Sequence, residues 1–192
     1  ALNGKTEEYC QSYGVHKCLK DLEVGLELII AAVFEPTCTI CGLTAGYQGP
    51  GSKTVRPARA SAKIDLRLVP DMTPELVLEQ LRAHLDSEGF DDIQINYMGG
   101  EPPALTDPDD PFVDLIVRTA EPVYGSPMQK VPLIGGSGPN YLFVNLLGLP
   151  VVSAGSGYPN ALVHAPNENM RLDLYVKHAR HMARLFHEFG ES

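Results

Sequence analysis

Three short stretches of this sequence hold residues that could do chemistry. In Asn160-Ala-Leu-Val-His-Ala-Pro-Asn-Glu-Asn169, His164 follows a short apolar run and precedes Pro166, with Glu168 close behind. That order predicts an imidazole and a carboxylate on a loop between a strand and a helix, where α/β proteins usually keep function. Neutral imidazole is a good zinc ligand. A surface-loop histidine is the plainer alternative. In Gly135-Gly-Ser-Gly-Pro139, glycines let backbone N–H groups approach a ligand closely. Such a nest suits a carboxylate or an oxyanion, although most glycine turns bind nothing. In Lys63-Ile-Asp-Leu-Arg-Leu-Val-Pro70, Arg67 shares a polar strand face with Arg59 and Lys63. A guanidinium binds carboxylates through two parallel hydrogen bonds. Taken alone, a solvated strand face accounts for it.

The remaining histidines and the cysteines read as structural. His178 and His181 stand one turn apart on a Lys- and Arg-bearing helix, where a solvated face explains them better than a metal pair. His16, His84 and His187 are likewise expected on helix surfaces. Cys38 and Cys41 have C-x-x-C spacing, which can mark zinc or redox chemistry. Their segment, Pro36 to Gly46, is rich in β-branched residues and reads as a strand. Strand positions three apart point to opposite faces, so the two thiols are not expected to converge on one ion.

The elements that must position these groups follow from periodicity. Residues 1–34 read as helical, with Leu19, Leu22, Leu26, Ile29, Ile30 and Val33 at helix spacing. Glu35-Pro36 ends that stretch. A strand is expected to about Tyr47, then a glycine-rich loop at 48–52. From Lys53 to Pro70, Ala58, Ala60, Ala62, Ile64, Leu66 and Leu68 fall on one parity, the pattern of a half-buried strand. Thr73 can cap a helix with Pro74 in its first turn, lined by Leu76, Val77, Leu81 and Leu85 and stopped at Gly89. Asp92 to Tyr97 is predicted to be a further strand. The sum is a small α+β layer, ferredoxin-like, with helices on one face of an antiparallel sheet.

Composition shifts at Gly99-Gly-Glu-Pro-Pro103, so the chain divides into residues 1–104 and 105–192. In the second part, helices are expected over Asp109–Tyr124, Asn140–Leu147 and Leu172–Phe189. Val131–Ile134 and Leu149–Ala154 read as short buried strands. Apolar strands alternating with helices predict part of a parallel α/β sheet.

Composition narrows the partners. The 192 residues are 44% hydrophobic and carry a formal net charge of −9. A surface of that sign repels nucleic acid and anionic lipid. No apolar run is long enough to span a bilayer, and no secretory signal is visible. Free thiols and a cytoplasmic location are therefore expected.

Taken together and in order, these pieces resemble a family. Gly46-Tyr-Gln-Gly-Pro-Gly-Ser-Lys-Thr-Val-Arg-Pro57 followed by Ala60-Ser-Ala-Lys-Ile-Asp-Leu-Arg-Leu-Val-Pro70 looks like the lid domain of the di-zinc exopeptidases and deacylases. These include carnosinase-type dipeptidases, acetylornithine deacetylase, succinyl-diaminopimelate desuccinylase and aminoacylase. The match continues through Gly135–Pro139 and His164-Ala-Pro-Asn-Glu168, and looks closest to the dipeptidase branch. The resemblance implies that His164 is the last zinc ligand and that Arg67 holds the substrate carboxylate. It implies that Gly136, Ser137 and Gly138 form the loop binding the substrate's C-terminal end. It implies a lid plus the C-terminal part of a zinc-exopeptidase catalytic domain. It further implies a dipeptide or N-acyl amino acid substrate, two zinc ions that activate a water, a glutamate as general base, and a homodimer through the lid.

The family's earlier ligands are a His-x-Asp pair, a Glu-Glu pair and a further acidic residue. No His-x-Asp occurs here, and Glu7-Glu8 and Asp91-Asp92 lack that context. One retained ligand cannot hold two zincs. The expectation is therefore a fragment of a zinc enzyme, itself inactive. Two other readings stand beside it. One is a non-catalytic dimerisation or binding module. The other is a small zinc protein using Cys10, Cys18, Cys38 and Cys41.

Overall fold

The computed structural model describes residue 16 and residues 26–191. Of the helix expected over 1–34, Leu26–Phe34 is observed as α1. The rest of it, with Cys10 and Cys18, lies outside the described residues apart from His16, which is exposed. The chain divides into two compact units. Ile30–Pro103 forms one, and Ala104–Ser192 belongs to the other.

In the first unit, Thr37–Ala45 (β1) pairs antiparallel with Ala60–Arg67 (β2), from Thr37 opposite Arg67 to Ala45 opposite Ala60. A bulge between Ile40 and Gly42 interrupts the ladder. It falls on Cys41, so the strict alternation that would separate Cys38 from Cys41 breaks between them. Both thiols are free and exposed. The expected burial of one sheet face is not met: Ile40, Leu43 and Ile64 all stand exposed.

Pro74–Ser87 (α2) follows as the sequence predicts. The Thr73 hydroxyl accepts the Leu76 N–H at 3.2 Å, and Pro74 sits where its missing N–H costs nothing. The strand expected over Asp92–Tyr97 does not form. Arg82 holds the entry to this segment. Its guanidinium donates to the carbonyls of Phe90 (2.9 Å) and Ile93 (2.6 Å) and to Asp86 (2.9 Å). A side chain thus takes one acceptor, the Ile93 carbonyl, from the segment expected to be a strand.

The second unit is built on two helices, Pro111–Tyr124 (α3) and Leu172–Gly190 (α4). Asp110 caps α3 by accepting the Phe112 N–H at 2.8 Å, and Gly125 closes it in the left-handed region at φ 74°. Leu115 and Ile116 of α3 pack against Leu185 of α4, with Phe112, Val152, Ala154 and Met182 around them. Phe112 and Phe189 meet edge to face, 6.0 Å between centroids. Arg118 and Arg184 both reach Glu188, at 3.3 and 2.8 Å.

The two buried strands expected here are absent among the described residues. Val131–Ile134 joins no ladder, and both end residues stand largely exposed. Leu149–Ala154 is unpaired for a visible reason. The Thr106 hydroxyl donates to the Val151 carbonyl (2.8 Å) and accepts the Val151 N–H (2.9 Å). One side chain satisfies both backbone groups that a partner strand would have used. The short helix expected at Asn140–Leu147 is present, with Asn140 and Tyr141 α-helical and Leu142–Leu146 π-helical. No described helix is long and apolar enough to cross a membrane.

Candidate functional site

The loop from Tyr158 to Asn169 carries the strongest local signal. Leu162, His164 and Asn167 have φ values of 53°, 62° and 65°. Asparagine and histidine enter the left-handed region more readily than most residues, but leucine is strained there, by roughly 1–2 kcal/mol. Strain of this kind persists only where surrounding bonds overdetermine it, and here those bonds are visible. Ala161 is buried, and its N–H donates to the Tyr158 carbonyl at 3.0 Å. The Ala165 N–H donates to Leu162 at 2.9 Å, and Glu168 to Ala165 at 3.2 Å. The Asn169 N–H then closes the loop on the Ala161 carbonyl at 3.0 Å. His164 and Glu168 are held exposed on this frame.

The loop is fastened to the start of α4. The Tyr158 hydroxyl donates to Asn169 Oδ1. The Arg171 guanidinium lies 6.0 Å over the Tyr158 ring and grips Asp173 with two hydrogen bonds, at 3.0 and 2.6 Å. That hydrogen bond holds the Asp173 carboxyl below its usual range and raises the Arg171 guanidinium.

The glycine loop is open. Nothing lies within 4 Å of a Cβ added at Gly135, and at Gly136 the nearest atom is Ile134 Cδ1 at 3.7 Å. A Cβ at Gly138 would meet Asn140 Oδ1 at 3.7 Å. None of the three has positive φ. Neither packing nor backbone conformation therefore requires glycine at these positions.

Arg67 ends β2 in the other unit. Its Nε donates to Asp65 Oδ2 at 2.7 Å, and both side chains are nearly half exposed. Arg59 and Lys63 are exposed as well. The structure thus gathers Gly136, Ser137, Gly138 and His164 in one unit and leaves Arg67 in the other.

A catalytic zinc needs about three protein ligands. Among the described residues no group of three or more His, Cys, Asp or Glu could hold a metal. His164 fits as one donor by its chemistry and exposure, but the described residues do not make up a metal site.

One histidine departs from expectation. His181 is not on a solvated face: it is 1% exposed, beside a fully buried Thr119. The Thr119 hydroxyl has one hydrogen and lies 2.8 Å from the Leu115 carbonyl and 3.1 Å from that of Ile116. Given to either, it leaves the oxygen to accept from His181 Nε2 at 3.1 Å. In that arrangement the ring is the Nε2–H tautomer, and Nδ1 is buried without a hydrogen-bond partner. Burial pushes the imidazole below its ordinary pKa; the Ile116 carbonyl opposes this and His178 adds to it. The Tyr124 ring meets it edge-on at 6.1 Å. The signal was present in the sequence: Leu174, His178, His181 and Leu185 form a stripe at helix spacing.

Comparisons with known proteins agree on one family. The sequence model of "Peptidase family M20/M25/M40" matches residues 5–188. A β-Ala-His dipeptidase of Mus musculus is 31% identical over 124 residues, covering 62% of this chain and 25% of its own. The Cys-Gly metallodipeptidase dug1 of Schizosaccharomyces pombe is 28% identical over 166 residues, 81% of this chain and 34% of its own. Among solved structures, the M20 family metallo-carboxypeptidase Sso-CP2 from Sulfolobus solfataricus superposes with a TM-score of 0.82 at 35% identity. The superposition covers 95% of this chain and 42% of that one. Human carnosine dipeptidase 1 gives 0.78 at 25% identity, over 100% and 41%. The chain spans about a third or less of the length of the curated relatives it matches.

Proposed function

Because the chain belongs to peptidase family M20/M25/M40, we propose that the protein carrying it is a zinc-dependent peptidase cleaving the amide bond of a dipeptide or N-acyl amino acid. Residues 1–104 act as its lid and residues 105–192 as the C-terminal portion of its catalytic domain. The observation that carries this is the strained, hydrogen-bonded loop that holds His164 outward. A fold tolerates such backbone where a side chain must be aimed.

The roles follow from chemistry. His164 offers one neutral imidazole to the metal centre. When bound, zinc supplies Lewis acidity toward the amide carbonyl and an acidified water. Arg67 binds the substrate carboxylate, and its present partner, Asp65, is a half-exposed carboxylate that a substrate can replace. Gly136, Ser137 and Gly138 receive the C-terminal end of the substrate, in space that no Cβ occupies. The exposed apolar residues of β1 and β2 favour a homodimer through the lid. Read alone, that surface also suits a dimerisation module without catalysis.

With His164 the one proposed donor among the described residues, the 192-residue chain by itself is expected to be inactive. Zinc per chain on desalted protein, with dipeptide hydrolysis on the same sample, tests this. Well under one zinc per chain and no hydrolysis are expected. Zinc held tightly with hydrolysis would mean that the chain contains a complete centre. Zinc held without it would bring the cysteine-zinc reading forward.

A further inference from the structure

We infer that Asn169 is a positioning residue that holds His164 in its outward, left-handed conformation. This rests on the proposal that His164 is a metal ligand. The residue does three things at once. Its N–H closes the loop on Ala161 (3.0 Å). Its carboxamide NH2 donates to the carbonyls of Asn160 (3.3 Å) and Asn167 (3.0 Å), one on each side of His164. Its carboxamide oxygen accepts the Tyr158 hydroxyl. The loop holds three positive-φ residues, and Asn167, one of them, is held by that NH2 through its carbonyl.

The geometry fits asparagine and few others. Two donors and one acceptor on one short planar group are needed, which aspartate, serine and alanine cannot supply. Glutamine has them on a longer, more mobile stem. Tyr158 is fixed in turn by the Arg171 guanidinium over its ring and by the pairing of Arg171 with Asp173 in the first turn of α4. The orientation of His164 is thereby referred to a helix rather than left to a free loop. Groups that orient a metal ligand without touching the metal typically change affinity or activity about 10–100-fold when removed.

The test uses the complete, metal-loaded protein. Zinc affinity by chelator competition and the visible spectrum of the cobalt(II)-substituted protein are read for Asn169→Ala, Asn169→Asp, Tyr158→Phe and His164→Ala. The melting temperature of each metal-free variant is the control for fold. Asn169→Ala is expected to weaken zinc about 10–100-fold and to shift the cobalt spectrum, with the metal-free melting temperature little changed. Asn169→Asp keeps the Tyr158 bond but sets an acceptor-only carboxylate against the Asn160 and Asn167 carbonyls, and should weaken zinc at least as much as Asn169→Ala. Tyr158→Phe should show the smallest change. Unmodified affinity and spectrum in Asn169→Ala, with zinc lost in His164→Ala, would overturn the role of Asn169 and leave His164 as a ligand. Zinc retained in His164→Ala would overturn both. Should Asn169→Ala fail to fold, Asn169→Asp and Tyr158→Phe decide, and unchanged zinc affinity in both counts against the proposal.

Discussion

The helical unit and the sheet unit bury their apolar residues to different degrees. Leu115, Ile116 and Leu185 are each less than a tenth exposed, whereas Ile40 and Leu43 on β1 are 64% and 71% exposed. Each unit also shows a regular period, 3.6 in α3 and α4 and two in β2. Period names the residues that could be buried; a partner decides whether they are. The helices supply one another with a partner, and the two-stranded sheet finds none among the described residues. Isolated two-stranded sheets are marginal in water.

The sharpest way to break this comparison is to truncate one residue in each unit. Leu185→Ala removes a side chain from the α3–α4 core and is expected to cost the helical unit about 2–5 kcal/mol. Leu43→Ala deletes a side chain already in water and should cost the sheet unit under about 0.5 kcal/mol. Urea unfolding followed by residue-resolved amide exchange reads both. Equal losses would mean that the sheet is covered in solution, as a lid dimer would cover it.

A second, smaller effect separates the units by pH. His181 is buried, and its pKa lies below the ordinary value because burial disfavours its charged form. A folded-state pKa below the unfolded one makes the unfolded chain bind more protons in the window between them. The contribution is favourable above the ordinary histidine range, near 6.5, and is lost as pH falls through the folded-state value. The helical unit should therefore loosen on acidification from about 6.5. His181→Gln keeps an N–H for the Thr119 oxygen but does not titrate, so its stability should vary less with pH over that window. A pH slope in His181→Gln as steep as in the unmodified chain would place the acid sensitivity elsewhere.

What was legible in the sequence depends on how local its cause is. The Thr73 cap with Pro74 and the extents of α3 and α4 are set by neighbouring residues, and they appear close to where the sequence places them. Cys38 and Cys41 lie on the strand that composition predicts, but the bulge beside Cys41 was not legible, because a bulge is a property of two strands. Asp92–Tyr97 and Leu149–Ala154 have strand composition but pair with no strand; distant side chains, Arg82 and Thr106, bind the Ile93 carbonyl and both backbone groups of Val151. His181 was assigned to solvent by its charged neighbours, although its place on the apolar stripe pointed inward. In the candidate site, the order of Gly135–Pro139 and His164–Glu168 could be read directly. The left-handed backbone of Leu162, His164 and Asn167 could not, because nothing short of the closed loop enforces it.

The smallest expected effect on stability isolates function from fold. Gly136 lies in the buried-core unit but behaves like the open sheet: a methyl group there meets only Ile134 Cδ1, at an ordinary 3.7 Å, and φ is not positive. Gly136→Ala should therefore change stability by no more than about 0.5 kcal/mol, and the sign leans toward stabilisation, since alanine restricts the unfolded chain. If the loop receives the end of a substrate, the same methyl group occupies the ligand's space. In the complete protein, kcat/KM for a dipeptide should then fall at least about tenfold, equivalent to about 1.4 kcal/mol of transition-state binding. The melting temperature should hold. A fall carried by KM would place Gly136 against the part of the substrate remote from the chemistry, and a fall carried by kcat would place it near the reacting carbonyl. Full activity in a stable variant would mean that no ligand approaches this loop, and its glycines would then be an ordinary turn.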